Sequence, residues 1–274
     1  GTAQAFVRDN RMTHSHENRR RVALIQSRPR LGDIAANTTA IEHSLAAHPD
    51  ADIMVWPELF LGGYTTTEAA TTARAIESPD IRRLAGLARR YDTAMVVGFA
   101  EQRETTIANS ALAIDRDGTL AGCYRKTQLF GAESGVYSPG DALTVVSLSG
   151  VTCGLMICFD IEFPEVARAL ATNGADLLIS ISANMPPFAA DHRLCVQARA
   201  LENRRPHVYV NQIGQGETFW FTGQSAVADT TGQIVAEHVP DTEAGLVVDV
   251  DLSVETEIRP DYLAQRRVPL PVER

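Results

Sequence analysis

Lysine is almost missing from this chain. Of its 25 basic residues only Lys126 is lysine, which leaves 24 arginines among 274 residues. Lysine is normally one of the commoner residue types. Coding bias can account for the arginines, and the one exception becomes a candidate for a task that arginine cannot perform. Positive charge is also short overall. The net charge of −9 argues against nucleic acid and against anionic membrane surfaces as partners. Long apolar runs are absent, because stretches such as 177 to 183 are far too short to cross a bilayer. No secretory signal is visible. Residues 1–20 are polar and charged, and read as a flexible N-terminal arm or cloning remnant ahead of one domain at 21–274.

Cysteine patterns are missing as well. Cys123, Cys153, Cys158 and Cys195 form no CxxC pair and no zinc spacing. Four such thiols suit a reducing, cytoplasmic setting. A metal is not expected, since His14 and His16 lie in the arm. Glycine-rich phosphate loops, GxGxxG or GxxxxGK[ST], do not occur either, so a nucleotide cofactor is not expected.

What remains is a chain that is 45% hydrophobic and patterned like a layered α/β protein. Buried strands are expected at 21–27, 51–56, 94–100, 151–158, 175–182 and 207–214, and helices at 35–48, 79–91, 163–174 and 190–205. Ser78-Pro79 is a helix start. Asp117-Gly118 and Ser149-Gly150 mark hairpins, and three more strands are expected between 223 and 252. Helices alternate with buried strands while hairpins interrupt them, which predicts mixed sheets rather than one purely parallel sheet.

Four ionisable residues stand at predicted strand ends or just beyond. Glu58 follows the strand ending at Trp56-Pro57, Lys126 ends "LAGCYRK", and Cys158 ends "VTCGLMIC". Glu133 lies seven residues past Lys126. Each alone has a plain explanation: a solvated turn carboxylate, a surface charge, a small buried hydrophobe. Together they suit acyl transfer. A free thiol has a pKa of about 8.5 and needs help to attack at neutral pH. A carboxylate such as Glu58 can accept its proton. A compact ammonium such as Lys126, with the amide after the nucleophile, can hold a developing oxyanion.

The blocks "WPELFLGGY", "YRKTQLFGAE" and "CFDIEFPEVAR", with "GADLLISISANMPP" and "RALENRRPHVYVNQIG", resemble the nitrilase superfamily of carbon–nitrogen hydrolases, in the family's order. The resemblance covers 22 to 252. It implies a four-layer α-β-β-α sandwich, a homodimer or larger homo-oligomer, and catalysis without cofactor or metal. It also implies Glu58 as general base, Lys126 as oxyanion stabiliser, Cys158 as nucleophile forming a thioester, and Glu133 as a second glutamate that positions substrate and assists proton transfer.

Phe159-Asp160 stands where true nitrilases typically carry Trp-Glu, so the resemblance points to the amidase side and to a small aliphatic amide. Candidate substrate-binding residues are Phe60, Tyr64, Phe159, Asn184, Met185, Phe188 and Trp220, with Phe219 beside them. Rival readings share the triad: an N-carbamoyl amidohydrolase using Arg193 or Arg199 for a substrate carboxylate, or a nitrile hydrolase. A cysteine peptidase would need His192 or His207. A non-catalytic binding protein on the same fold is the remaining class, although all three triad residues are present.

Overall fold

Side chains along a strand alternate between faces, and here that alternation sets the layers. The computed structural model describes residues 18–274. One sheet contains β1 (Arg19–Gln26), β2 (Ile53–Val55), β3 (Ala94–Gln102), β4 (Ile107–Ile114) and β5 (Leu120–Arg125). The other begins with β6 (Val145–Leu148), β7 (Val151–Ile157), β8 (Leu177–Ser182) and β9 (His207–Asn211). A small hairpin, β10 (Ile213–Gln215) and β11 (Trp220–Thr222), follows. Then come β12 (Ala226–Ala228), β13 (Ile234–Glu237) and β14 (Ala244–Asp251). The sheet orders are β14-β1-β2-β3-β4-β5 and β13-β12-β9-β8-β7-β6. Each has a parallel trio, β1-β2-β3 or β7-β8-β9, flanked by antiparallel strands.

Val22 and Leu24 of β1 pack with Leu155, Ile157 and Ile179 of the other sheet in a core between the two. Their neighbours Ala23 and Ile25 face outward, against α1 (Ile34–Ala47) and α3 (Pro79–Tyr91); α2 (Ala69–Thr72) is a single turn between those helices. On the far side, Met156 and Leu178 pack under α4 (Pro164–Thr172) and α5 (Ala189–Asn203). A last short helix, α6 (Tyr262–Gln265), follows β14. The result is the expected α-β-β-α sandwich with mixed sheets.

The structure departs from expectation in detail. β1 starts at Arg19, inside the stretch expected to be an arm, and His14 and His16 lie outside the described residues. The segment 207–214 is two strands rather than one: Gln212 N turns back to Ser182 O at 3.1 Å, and Gly214 takes left-handed backbone at φ +77°. Among the described residues no helix is long and apolar enough to cross a membrane.

The parallel trios run in register with their C-terminal ends at one edge of each sheet, and β5 points the same way as β3. The turn after β2 is pressed against β3: Trp56 N donates to Val96 O at 2.9 Å and Leu61 N to Gly98 O at 3.0 Å. A Cβ at Gly98 would fall on backbone atoms of Pro57 and Leu59 and lie 2.8 Å from the Glu58 carbonyl carbon. Backbone cannot swing aside as a side-chain tip can. Gly98→Ala is therefore expected to destabilise the protein by at least about 2 kcal/mol. Urea unfolding measures this, and an unchanged midpoint would show that the turn carrying Glu58 is free to shift.

Candidate active site

Strand ends from both sheets meet at one point. Glu58 follows β2, Lys126 follows β5, and Cys158 follows β7; Glu133 sits in a 3-10 turn, Gly131–Gly135. Glu58, Lys126 and Glu133 are all buried. Lys126 Nζ donates to Glu58 Oε1 at 2.7 Å and to Glu133 Oε1 at 2.9 Å. An ammonium has three N–H donors, so one remains for another acceptor. The carboxylates are held in turn. Asn109 Nδ2 donates to Glu58 Oε1 at 2.7 Å and Ala183 N to Glu58 Oε2 at 2.8 Å. Tyr64 Oη donates to Glu133 Oε1 at 2.8 Å and Phe130 N to Glu133 Oε2 at 3.0 Å. The lysine backbone is pinned as well, by Lys126 N to Asn109 O and Gly140 N to Lys126 O, both 2.8 Å.

Cys158 opens a second 3-10 turn, Cys158–Glu162, with φ +47°. Non-glycine residues rarely adopt this left-handed conformation, which costs roughly 1–3 kcal/mol. The residue as a whole is 8% exposed. Burial pushes the thiol well above its usual pKa, and Glu58 and Glu133 push it further; Lys126 and the Ala183 amide oppose them. Burial likewise raises Glu58, against the pull of Lys126. For Lys126, burial alone would lower the pKa, but Glu58 and Glu133 together outweigh it and hold the ammonium well above its ordinary value. The arrangement is thus a thiol that keeps its proton beside a carboxyl group with increased proton affinity, with a fixed cation next to both.

Cys158 lines a cavity with about 10 Å³ open to the centre of a water-sized sphere, room for roughly one water. Tyr64, Phe159, Asn184, Met185 and Phe188 are on its wall, where the sequence reading placed them. Phe60 and Trp220 are not. Phe60 is buried in the core under α1 and α3. Trp220 is 49% exposed, with its indole N–H donating to Asp241 at 3.1 Å. Phe219 packs edge-on to Tyr64 behind the wall. Larger hollows, up to 690 Å³ around Glu101 and Arg103, contain none of the four residues. Among the described residues no group of three or more His, Cys, Asp or Glu is arranged to hold a metal ion.

Sequence reasoning missed Asn109, the Ala183 amide and the cavity position of Glu162. Asn109 carried a signal, since asparagine is unfavourable inside a buried strand and "IANSALAI" holds one. A backbone donor such as Ala183 leaves no trace in residue type.

The chain is similar to known proteins along most of its length. Residues 21–260 match the carbon–nitrogen hydrolase family. An (R)-stereoselective amidase from Pseudomonas sp. is 37% identical over 259 residues, 93% of this chain and 94% of that protein. The N-carbamoylputrescine amidase of Arabidopsis thaliana is 33% identical, covering 81% of this chain and 83% of its own. The solved amidase from Nesterenkonia sp. superposes with a TM-score of 0.81 at 30% identity, over 90% of this chain and 93% of that one. Another structure of that enzyme shows the acetamide moiety of fluoroacetamide added covalently at its active-site cysteine. With the sandwich fold and matches spanning most of its length, this chain belongs to the carbon–nitrogen hydrolase family, in the amidase branch of the nitrilase superfamily.

Proposed function

We propose that this amidase converts a small aliphatic amide to its carboxylic acid and ammonia through a thioester on Cys158. The observation that carries the reading is Lys126, held between Glu58 and Glu133 next to a thiol in a small, largely aromatic cavity. Cys158 Sγ attacks the amide carbonyl carbon while its proton passes to Glu58. The carbonyl oxygen takes the negative charge, facing the third N–H of Lys126 and the Phe159 amide at the open start of the 3-10 turn. The tetrahedral adduct collapses as the C–N bond breaks and the nitrogen receives the proton, so ammonia leaves. Water then attacks the thioester, giving up a proton to Glu58, and the acid departs as the thiol reforms. Glu133 fixes Lys126 and, through Tyr64, the cavity wall, and assists proton transfer at the amide nitrogen.

The rivals fare less well on specific contacts. Arg193 is exposed and paired with Glu237 at 3.1 Å. Arg199 donates to Ile161 O at 2.9 Å and to Glu162 O at 3.3 Å. Neither arginine is on the cavity wall, which instead carries Glu133 and Glu162, so a substrate carboxylate would meet like charge. For a peptidase, His192 is on the wall, but its ring nitrogens face Tyr209 Oη at 2.8 Å and Glu162 at 3.1 Å. His207 faces Ser180 at 2.5 Å, and burial lowers its pKa to about 3. We propose that the catalytic unit is one domain from Arg19 onward, that it works in the cytoplasm, which four free cysteines suit, and that it pairs as a homodimer.

Ammonia release from propionamide, propionitrile, an N-carbamoyl amino acid and a peptide amide is the direct test. Release is expected from propionamide and is expected to vanish in Cys158→Ala. Release from the carbamoyl compound alone would move the assignment to that branch.

Lys126→Arg is expected to lower turnover by about 10²-fold or more, the scale of losing an oxyanion donor, because a planar fork does not fit between two fixed carboxylates. Near-normal turnover would remove the reason for the lone lysine.

The pH profile of kcat/KM tests the proton inventory. Glu58 must be ionised to act, and its pKa is raised above 4.5. Activity should therefore fall with decreasing pH along a limb centred above 4.5. Cys158 and Lys126, both raised, keep their protons through the neutral range. An acid limb at or below the ordinary glutamate value would assign the base elsewhere.

A further inference from the structure

The left-handed backbone of Cys158 must be imposed by its surroundings, and the group that imposes it lies two residues on. Asp160 is fully buried and accepts four hydrogen bonds. Oδ2 receives Ile157 N at 2.8 Å and Tyr124 Oη at 2.7 Å. Oδ1 receives Gln128 N at 3.0 Å and Thr127 Oγ1 at 3.1 Å. Its carbonyl also closes the turn, accepting Phe163 N at 3.2 Å. Ile157 immediately precedes the nucleophile. The other three donors flank Lys126 on either side in the chain. One carboxylate thus joins the turn that presents the thiol, at the end of one sheet, to the strand end that presents the ammonium, in the other.

We infer that Asp160 is a positioning residue for this hydrolysis: it sets the placement of the Cys158 sulfur relative to the Lys126 ammonium without touching substrate. The inference rests on the reading of Cys158 as nucleophile. Asp160 is not on the cavity wall, so its effect must pass through the two residues it joins. Its chemistry is specific. Each carboxylate oxygen faces one backbone N–H, from Ile157 or from Gln128. Hydroxyls can rotate to accept instead of donate, but these amides cannot. An asparagine in either orientation would set its own NH₂ against one of them, loosening either the thiol's turn or the lysine's strand end. Displacement of reacting groups by about 1 Å can cost on the order of 10²-fold in rate.

The test uses the full-length protein and propionamide. Active sites are counted by mass spectrometry as iodoacetamide adducts on Cys158, and kcat is expressed per counted site. Asp160→Asn is expected to lower kcat per site about 10²-fold while KM stays within about threefold. A role confined to folding would instead reduce the number of sites and leave kcat per site unchanged, which would overturn the inference. Tyr124→Phe removes one donor on the lysine side and keeps the ring. It is expected to lower kcat per site about tenfold, the scale of one charge-assisted hydrogen bond, and it decides the matter if Asp160→Asn does not fold. Wild-type kcat per site in Tyr124→Phe, or a change in KM alone, would likewise refute the positioning role. Cys158→Ala run alongside separates the two levels: if that variant still releases ammonia, the nucleophile assignment has failed and the inference falls with it.

Discussion

A fully buried ammonium is the constraint around which this structure is built. Removing a charge from water costs several kcal/mol even after relaxation, and the cost is recovered only with close partners of opposite sign. Lys126 has two, at 2.7 and 2.9 Å. Those carboxylates bring their own requirements, met by Asn109, Ala183, Tyr64 and Phe130. Ala183 follows β8, in the opposite sheet from Glu58 and Lys126, so the network stitches the sandwich together at one edge. Breaking a buried pair by removing one partner typically costs about 3–5 kcal/mol. The groups proposed to do the chemistry are therefore also groups the fold needs in place.

The same arithmetic of charge explains how a neutral thiol becomes reactive. Two carboxylates around one ammonium leave one negative charge uncompensated in a dry site. Burial raises Glu58; burial first, and then the two carboxylates, raise Cys158 well above its usual value, so the thiol keeps its proton beside a carboxyl group whose affinity for one is increased. In the proposed mechanism, attack moves a proton from sulfur to Glu58 and, in effect, moves the excess charge onto the substrate oxygen next to Lys126. Charge is relocated toward the cation rather than created. A preorganised cation is worth most under those conditions, because it need not reorient as the charge arrives.

Much of this was legible in the residues, and the failures have identifiable causes. The central strands could be read because both faces are covered: Val22 and Leu24 turn inward and Ala23 and Ile25 toward the helices, which leaves a continuous apolar run in the sequence. The thiol, the lysine and the two glutamates stood out as ionisable groups at the ends of apolar runs. Nearness in the chain misled for Phe60. Leu59 has φ +53°, and across that turn Glu58 meets the lysine while Phe60 falls on the helix side. Trp220 failed for the opposite reason. In β11 it alternates with Phe221, which is fully buried, so the tryptophan must face out. Strands of three residues, such as β10 and β11, are too short for that period to be visible beforehand. Asp160 was read only as a family marker, because a carboxylate's value here depends on four donors from two distant segments.

Substrate choice follows from what the walls can and cannot compensate. Phe130 meets Phe159 and Phe188 edge to face, with centroids 5.5 and 6.0 Å apart, so the rim is apolar and resists deformation. Opposite it, the backbone at Asn184 is clamped from β9: Asn184 N donates to Asn211 Oδ1 at 2.7 Å, and Asn211 Nδ2 returns a bond to Asn184 O at 3.2 Å. The nearest cation, Lys126, already faces two carboxylates, and Glu162 adds acidic character to the wall. An anionic acyl chain would add a further negative charge to a site whose acidic groups already outnumber its cation. A short, neutral chain asks nothing of the walls except van der Waals contact, and leaves the lysine's remaining N–H for the carbonyl oxygen alone.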